Sequence, residues 1–277
     1  MKARLSLLKQ YALGVIGAGN MGMAIAQGMA ASGTAPADIL LFNRSAEKRA
    51  AHQAEGFSVT DDYVSLYSCS DMVLLSVKPQ TFPEVLERLS AAAKTYHPLI
   101  ISVAAGVPFA RMEAVFGADC PMIRVMPNTP LMIGEGATEL VKNTAATDAQ
   151  LAKVRRLFGS MGVTVVFDRE DMLNEAIPFA GSAPAYIYSF ADAMVESALT
   201  HGLTREDAMQ LFCQTLIGSA KMMLQGDKTP AELVQAVCSP GGTTLEAMKV
   251  LQAHHFAEIL QEANDNCIAR AYELGKG

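Results

Sequence analysis

The hydrophobic pattern of this chain changes character near residue 168. Before that point, short apolar runs alternate with stretches whose apolar positions recur at helical spacing. Continuous apolar runs are typical of strands buried on both faces of a parallel sheet. We therefore predict strands over 12–17, 39–43, 71–77, 99–104, 122–126 and 163–167. Helices are predicted between several of them, over 20–32, 45–54, 81–93 and 147–160.

Beyond residue 168 the strand-like runs stop and helical spacing continues. The predicted helices cover 171–179, 184–200, 205–225, 230–237 and 243–274. Thr204 and Thr229 are predicted N-caps, and Gly202 and Gly226 are predicted helix stops. The whole pattern predicts an α/β fold, in which an N-terminal Rossmann-type doubly wound sheet is followed by an all-helical C-terminal dimerisation domain. The predicted domains are 1–168 and 169–277.

The helical half is rich in large apolar side chains, including Leu216, Ile217, Met222, Met223 and Leu224. We expect a second copy of the chain to cover part of this surface, which gives a homodimer or a higher homo-oligomer. The alternative is that the apolar stripes face only the first domain.

Composition and charge narrow the class of protein. The chain has 277 residues, 51% hydrophobic and 18% charged, which indicates globular structure with room for two cores. Its net charge of -6 argues against a nucleic-acid partner. No uncharged apolar run is long enough to span a membrane, and the N-terminus makes no convincing signal peptide. We therefore expect a soluble, cytoplasmic protein.

Cysteine and histidine usage predicts no metal site. The cysteines are scattered without a CxxC pair, so zinc and a disulfide framework are both poorly supported. They are Cys69, Cys120, Cys213, Cys238 and Cys267. The histidines suggest no catalytic relay with a carboxylate. His254 and His255 are expected on different faces of one helix, which argues against a shared metal.

A glycine-rich turn follows the first predicted strand and opens a helix. Its residues are Gly17, Ala18, Gly19, Asn20, Met21 and Gly22, which match GxGxxG. The first glycine allows the tight turn, the second lets the backbone approach a pyrophosphate, and the third lets helix and strand pack closely. Free N–H groups at the helix start favour the anion. The turn therefore predicts dinucleotide binding.

The end of the second strand indicates which dinucleotide. An NAD site usually has Asp or Glu there, whereas this chain has Asn43, Arg44 and Ser45. An arginine beside a hydroxyl suits a 2′-phosphate, so NADPH is favoured and NADH remains possible. The alternative is that Arg44 is an ordinary solvated cation.

Two further segments lie where strands end at the same edge of the predicted sheet. Val77, Lys78 and Pro79 follow one strand, and Ala104 ends another. We assign all four to the cofactor site, because open α/β sheets bind ligands at this edge. Lys78 has the alternative of being an ordinary surface lysine.

A second bare-backbone segment, SPGGTT, opens the helix predicted from residue 243. Its N–H groups can form an anion-binding nest, and Thr243 and Thr244 add hydroxyls for a small polar ligand. Since the pyrophosphate has its own turn, this nest suggests a substrate carboxylate. A well-capped helix without a ligand explains the same residues equally well.

SPGGTT followed by LEAMKVL resembles the signature of the pyrroline-5-carboxylate reductase family. GVIGAGNMG, VKPQ, SVAAGV, RVMPNTP and GSAPAYIY are similar to that family in the same order, from about residue 12 to 275. The resemblance implies NAD(P)H-dependent reduction of the cyclic imine 1-pyrroline-5-carboxylate to L-proline, the last step of proline synthesis. It also implies a domain-swapped helical dimer with shared sites.

The resemblance also implies residue roles. The substrate-binding set is Ser239, Gly241, Gly242, Thr243 and Thr244. Thr244 bonds the ring nitrogen, and Glu170 matches a family glutamate near the substrate; these two are the catalytic candidates. Three positions depart from the family pattern, namely Tyr63, Ala183 and Ala236, and an extension of about ten residues precedes the first strand. They bear on affinity and cofactor preference more than on reaction type.

Three rival functions remain open. A 3-hydroxyacid dehydrogenase of similar architecture would use Lys221 as its acid/base, but would leave SPGGTT unexplained. A dinucleotide-binding regulator without turnover would have no need of Thr244. A reductase of another cyclic imine acid, such as a six-membered ring, would differ in the pocket lining near Glu170.

Overall fold

The computed structural model describes residues 9–275, and its first part is built on an eight-stranded sheet. The strands are β1 (Leu13–Ile16), β2 (Ile39–Phe42), β3 (Ser58–Thr60), β4 (Met72–Leu75), β5 (Leu99–Ser102), β6 (Met122–Pro127), β7 (Gly136–Lys142) and β8 (Gly162–Val166). Their order across the sheet is β3-β2-β1-β4-β5-β6-β7-β8. Neighbouring strands are parallel except β6 and β7. The first six positions have the Rossmann order, which confirms that prediction.

In the described residues up to 182, seven α-helices accompany these strands. They are α1 (Asn20–Ala31), α2 (Ala46–Ala54), α3 (Tyr63–Ser68), α4 (Phe82–Ala93), α5 (Phe109–Phe116), α6 (Asp148–Gly159) and α7 (Met172–Ala176). Side chains alternate between two cores, one on each face of the sheet. Ile16 and Leu75 belong to one core, Val15 and Leu74 to the other, and all four are fully buried. Burial on both faces explains why these strands are continuous apolar runs.

Two strands and two helices of this part were not predicted. β3 is three half-buried residues long, too short to show a period. β7 carries Thr138, Glu139 and Lys142, polar residues that interrupt its apolar run. α3 and α5 are six and eight residues long, below the length at which helical spacing is clear.

The described residues from 183 to 275 are mainly helical, as predicted. Its helices are α8 (Ala183–Thr200), α9 (Arg205–Gln225), α10 (Pro230–Val237), α11 (Thr243–Ala253) and α12 (Phe256–Gly275). Thr204 caps α9 by accepting from Asp207 N, and Thr229 forms a capping box with Glu232 at α10. Gly226 ends α9. These capping predictions are confirmed.

The single helix predicted over 243–274 is wrong. It divides into α11 and α12 at His254 and His255. His255 has a positive φ of 55°, and its N–H donates to Gln252 O, so the backbone turns before α12 begins. The two histidines therefore do not lie on two faces of one helix, as the sequence had suggested.

The chain forms two compact units. Among the described residues, the first unit contains 9–182 together with 268–275, and the second is Ala183–Cys267. Within the first unit, Tyr272 at the end of α12 donates its hydroxyl to Glu175 Oε1 at 2.7 Å. None of the helices in residues 9–275 is long and apolar enough to cross a membrane.

Candidate active site

The turn between β1 and α1 has the backbone that a pyrophosphate requires. Gly17 has a φ of +107°, and a Cβ there would lie 2.4 Å from Ser76 O. A Cβ on Gly22 would lie 2.2 Å from Gly17 O, so this glycine allows helix and strand to pack closely. At Gly19, the N-cap of α1, a Cβ would meet nothing within 4 Å. The middle glycine therefore leaves open space at the helix start.

Electrostatics at this helix start also suit an anion. No side chain of residues 9–275 caps the start of α1 at Gly19, and the first turn of α1 contains no acidic residue. The N–H groups there have no intrahelical acceptor and lie at the positive end of the helix dipole. Ala18 is half-buried against the core, while Asn20 and Met21 begin the helix. All six residues of the predicted turn are thus grouped in one place.

The loop after β2 presents Arg44 on a fixed backbone. Asn43 Oδ1 accepts from Ser45 N, and Ser45 caps α2. Arg49 donates to the carbonyl oxygens of Asn43 and Arg44, at 2.8 and 2.9 Å. The Arg44 side chain is itself 61% exposed and forms an ion pair with Glu84. The hydrogen bonds of Asn43 and Arg49 therefore fix the backbone of this loop, while the Arg44 guanidinium stays exposed to solvent.

The remaining cofactor candidates lie at the carboxyl ends of β4 and β5. Val77, Lys78 and Pro79 follow β4, and Lys78 is the exposed residue from which a short 3-10 helix starts. Ala104 follows β5 and is buried, with its N–H donated to Ser102 Oγ at 3.4 Å. Parallel strands β1, β2, β4 and β5 bring these residues and the glycine turn to one edge of the sheet.

SPGG forms a turn whose residues each have a structural reason. Gly242 N donates to Ser239 O at 2.9 Å, which closes a four-residue turn. Pro240 and Gly241 occupy its centre, and Gly241 has a φ of +70°, so this is the proline-glycine pattern of a type II turn. A Cβ on Gly242 would lie 2.5 Å from Ser239 Oγ.

This turn leads directly into α11, whose N-terminal N–H groups are not covered by a capping side chain of the described residues. Gly242 is its N-cap, and no side chain in the described chain caps it. Thr243 is exposed and Thr244 is half-buried, both in the first turn. The five residues predicted to bind substrate therefore form one compact group in the second unit. Gly242 is also a favoured type of N-cap residue, so the alternative of a well-capped helix fits this arrangement as well.

Glu170 lies in the first unit, after β8. Its Oε1 accepts from Arg124 Nη1 at 2.7 Å and from Phe109 N, the first residue of α5, at 2.6 Å. The Arg124 side chain is 5% exposed and that of Glu170 is 31% exposed. Glu170 therefore neutralises a buried arginine and caps a helix. Its predicted catalytic role stays a prediction.

Sequence reasoning missed several residues around these groups. The sequence places Glu84 and Arg88 in a predicted helix and Arg124 in a predicted strand, but it does not mark them as site residues. Asn128, in the predicted RVMPNTP segment, accepts from Ala137 N and donates to Ala180 O at 3.3 Å. Asn128 was visible only as a family motif, whereas the contacts Arg44–Glu84 and Arg124–Glu170 join residues 40 and 46 positions apart along the chain.

Among residues 9–275, no group of three or more His, Cys, Asp or Glu side chains is placed to hold an ion. None of the five cysteines forms a disulfide in the structure.

Two family models match this chain. The model described as pyrroline-5-carboxylate reductase dimerisation matches residues 170–274. The model described as NADP oxidoreductase, coenzyme F420-dependent, matches residues 12–106. The first match contains the SPGG turn and α11, and the second contains the glycine turn and Arg44.

Whole-chain relatives agree with these models. The pyrroline-5-carboxylate reductase of Escherichia coli is 35% identical over 266 residues, which cover 95% of this chain and 98% of that protein. A solved structure of a pyrroline-5-carboxylate reductase from Coxiella burnetii has a TM-score of 0.88 and 34% identity, covering 97% of this chain and all of that one. The Plasmodium falciparum pyrroline carboxylate reductase, solved with NADP bound, has a TM-score of 0.86 and 25% identity, with coverage of 97% and 99%.

Proposed function

This chain belongs to the pyrroline-5-carboxylate reductase family, and we propose that it reduces 1-pyrroline-5-carboxylate to L-proline with NADPH, the last step of proline synthesis. One observation carries the proposal. Among residues 9–275, helices α1 and α11 open on glycine turns, and no side chain of the described residues caps either start. The reaction has two anionic partners to hold, a dinucleotide pyrophosphate and a small carboxylate, and each such N-terminus suits one of them.

The residues of the first unit fit the dinucleotide. The space that Gly19 leaves open is where a phosphate approaches the backbone, and Arg44 supplies a cation at the end of β2. Gly17, Ala18, Asn20, Met21 and Gly22 complete the turn. Asn43, Ser45, Val77, Lys78, Pro79 and Ala104 are proposed as its further contacts. When bound, reduced NADP supplies a hydride from C4 of its nicotinamide ring.

The residues of the second unit fit the imine. Backbone N–H groups after Gly241 and Gly242 hold the carboxylate, with Ser239 and Thr243 beside them. Thr244 Oγ1 accepts a hydrogen bond from the protonated ring nitrogen and so favours the iminium form, in which the neighbouring ring carbon accepts hydride. The nitrogen keeps its proton, and the product is the amine. The chain mainly orients its substrate, since an iminium needs no strong acid.

A panel of substrates tests this function against its rivals. The purified protein is mixed with NADPH and either 1-pyrroline-5-carboxylate or its six-membered homologue, and with NADP⁺ and a 3-hydroxyacid. We expect kcat/KM to be highest for the five-membered imine. Faster turnover of the six-membered imine would move the substrate to that ring. Oxidation of the hydroxyacid that is lost in Lys221→Ala would establish the dehydrogenase instead.

We also propose that the protein is a homo-oligomer that assembles through its second unit. Large apolar side chains are exposed there, including Leu211, Met222, Leu224, Val237 and Ile259. A groove of about 820 Å³, lined mainly by apolar residues of α9, α10 and α11, lies in the same unit. Such surfaces are typical of interfaces. Light scattering should give a mass of two chains or more, and a monomer would contradict the proposal.

A cytoplasmic location is proposed as well. None of the five cysteines forms a disulfide in the structure, which fits a reducing compartment. Fractionation of the host cell tests the location directly.

A further inference from the structure

Two arginines share one carboxylate beside the end of β2. Glu84 Oε1 accepts a hydrogen bond from Arg44 Nη2 and another from Arg88 Nε, the second at 3.1 Å. Arg44 belongs to the loop after β2, whereas Glu84 and Arg88 are four residues apart on α4. Charges from two separate segments therefore meet at a single oxygen atom.

Tyr63 provides a platform for this cluster. Its ring stacks on Phe42, with centroids 3.8 Å apart and planes at 15°. Its hydroxyl lies 3.5 Å from Arg44 Nη2, and the guanidinium carbon of Arg88 lies 5.7 Å from its ring centroid. Tyr63 is 6% exposed, so a fixed aromatic residue lies beneath charged groups that are open to solvent.

The arrangement suits an anion that arrives from solution. A carboxylate that bridges two guanidiniums occupies a place that a phosphate group can take, because arginine binds both in the same planar manner. The end of the second strand is where a dinucleotide fold recognises the ribose 2′ position. The side chains of Arg44, Glu84 and Arg88 are 61%, 40% and 57% exposed. Ion pairs this exposed contribute little stability, so they can be exchanged easily.

We propose that Glu84 is an internal occupant of the 2′-phosphate subsite and that Arg88 is a second cation for that phosphate. The proposal rests on the proposed use of NADPH. The 2′-phosphate takes both guanidiniums and releases Glu84. With NADH, Glu84 stays in place and accepts a hydrogen bond from the ribose 2′-hydroxyl, as an acidic residue does in NAD sites. Glu84 thus moderates the preference for NADPH and keeps NADH usable.

Binding of 2′,5′-ADP and 5′-AMP to the intact protein tests this proposal, because the two probes differ only in the 2′-phosphate. Calorimetry on Glu84→Gln should show about three- to tenfold tighter binding of 2′,5′-ADP and no tighter binding of 5′-AMP. Arg88→Ala should weaken 2′,5′-ADP by a similar factor and leave 5′-AMP unchanged. Glu87→Gln and Lys94→Ala are matched controls, since both residues are exposed on or at the end of α4.

Equal changes for the two probes, or no change in either variant, would overturn the proposal. So would an effect of the same size in the controls. These measurements need no imine and no turnover, so they are independent of the reaction. A protein that reduces 1-pyrroline-5-carboxylate but fails the binding test loses only the role of Glu84 and Arg88. One that passes the test without reducing the imine loses only the proposed reaction.

Discussion

Arg124 Nη1 lies 2.7 Å from Glu170 Oε1, and this contact joins β6 to the segment that follows β8. The same oxygen accepts from Phe109 N at the start of α5. Arg124 is almost fully buried, so Glu170 is the group that makes its charge tolerable there. The pair is therefore a structural element of the first unit, whatever else Glu170 does.

Glu170→Ala should lower the free energy of unfolding by about 3 kcal/mol, because it leaves a buried arginine unpaired. Urea unfolding measures the loss. The double variant Arg124→Met/Glu170→Ala should be less destabilised than the sum of the two single variants, since it removes the uncompensated charge as well. Strict additivity would show that the pair is not coupled.

The catalytic prediction for Glu170 needs a variant that stays folded. Glu170→Gln keeps an oxygen for Phe109 N–H and loses only the charge. If Glu170 mainly positions its surroundings, kcat of the folded variant should stay within about tenfold of the original. A general acid or base contributes about 100-fold or more. A loss of that size, with the fold intact, would establish the catalytic role.

Glu139 should make stability depend on pH. The residue is 4% exposed, none of the described groups donates a hydrogen bond to its Oε2, and burial raises the pKa of its carboxyl to about 7. The native chain therefore keeps this proton to a higher pH than the unfolded chain, whose ordinary pKa is 4.5. The contribution of Glu139 to the stability of the native chain is fully present below pH 4.5, and it is lost as the pH rises through 7.

Glu139→Gln removes this ionisation while keeping the shape. The variant should melt at a higher temperature than the original chain, and the difference should grow from pH 5 to pH 8. At the upper end of this range, its free energy of unfolding should be larger by an amount on the order of 1–3 kcal/mol. Thr138→Val is the control, because it replaces the neighbouring unpaired hydroxyl with a group that does not titrate. A difference that does not vary with pH would contradict the shifted pKa.

Arg44→Glu should weaken the binding of NADPH far more than the binding of NADH. A carboxylate at this position repels the 2′-phosphate but can still accept from a ribose hydroxyl. We expect the Kd for NADPH to rise far more than that for NADH in fluorescence titrations. Lys153→Glu reverses a charge at an exposed position of α6 and should affect neither. Equal losses for both cofactors would remove Arg44 from the phosphate site.

Gly241→Ala tests the turn before α11. Gly241 has a φ of +70° and open space around its Cβ position, so alanine there adds backbone strain without a clash, about 1 kcal/mol. The KM for the imine should rise several-fold, while NADPH binding stays unchanged. Gly202→Ala introduces a similar strain at a φ of +86°, also in open space, and should leave the KM unchanged. A KM that rises equally in both variants would point to general destabilisation.

Much of the fold was predictable because its strands are buried on both faces. Val15, Leu74 and Ile101 belong to runs whose hydrophobicity needs no partner to be recognised. β7 was missed because Thr138 and Glu139 are buried polar residues, which contradict the usual pattern. The break between α11 and α12 was missed because a left-handed histidine leaves no mark in the hydrophobic period.

The candidate site was predictable where the backbone decides and unpredictable where side chains meet across the chain. Gly17 and Gly241 indicate turns in the sequence, because residues other than glycine avoid positive φ. Arg44 was predicted from its position after β2, but its contact with Glu84 joins residues 40 positions apart. Only the fold brings Arg44 and Glu84 together, so the position of Glu84 and Arg88 beside Arg44 could not be predicted from spacing along the chain.

The most direct measurement is the loss of NADPH absorbance when the purified protein is given 1-pyrroline-5-carboxylate. The unmodified chain, Thr244→Ala and Thr200→Ala are compared under the same conditions; Thr200 is an exposed threonine at the end of α8 and serves as the matched control. The account predicts rapid oxidation by the unmodified chain and by Thr200→Ala, with proline as product, and a large drop in Thr244→Ala. No oxidation by an unmodified chain that still binds NADPH, or full activity in Thr244→Ala, would contradict it.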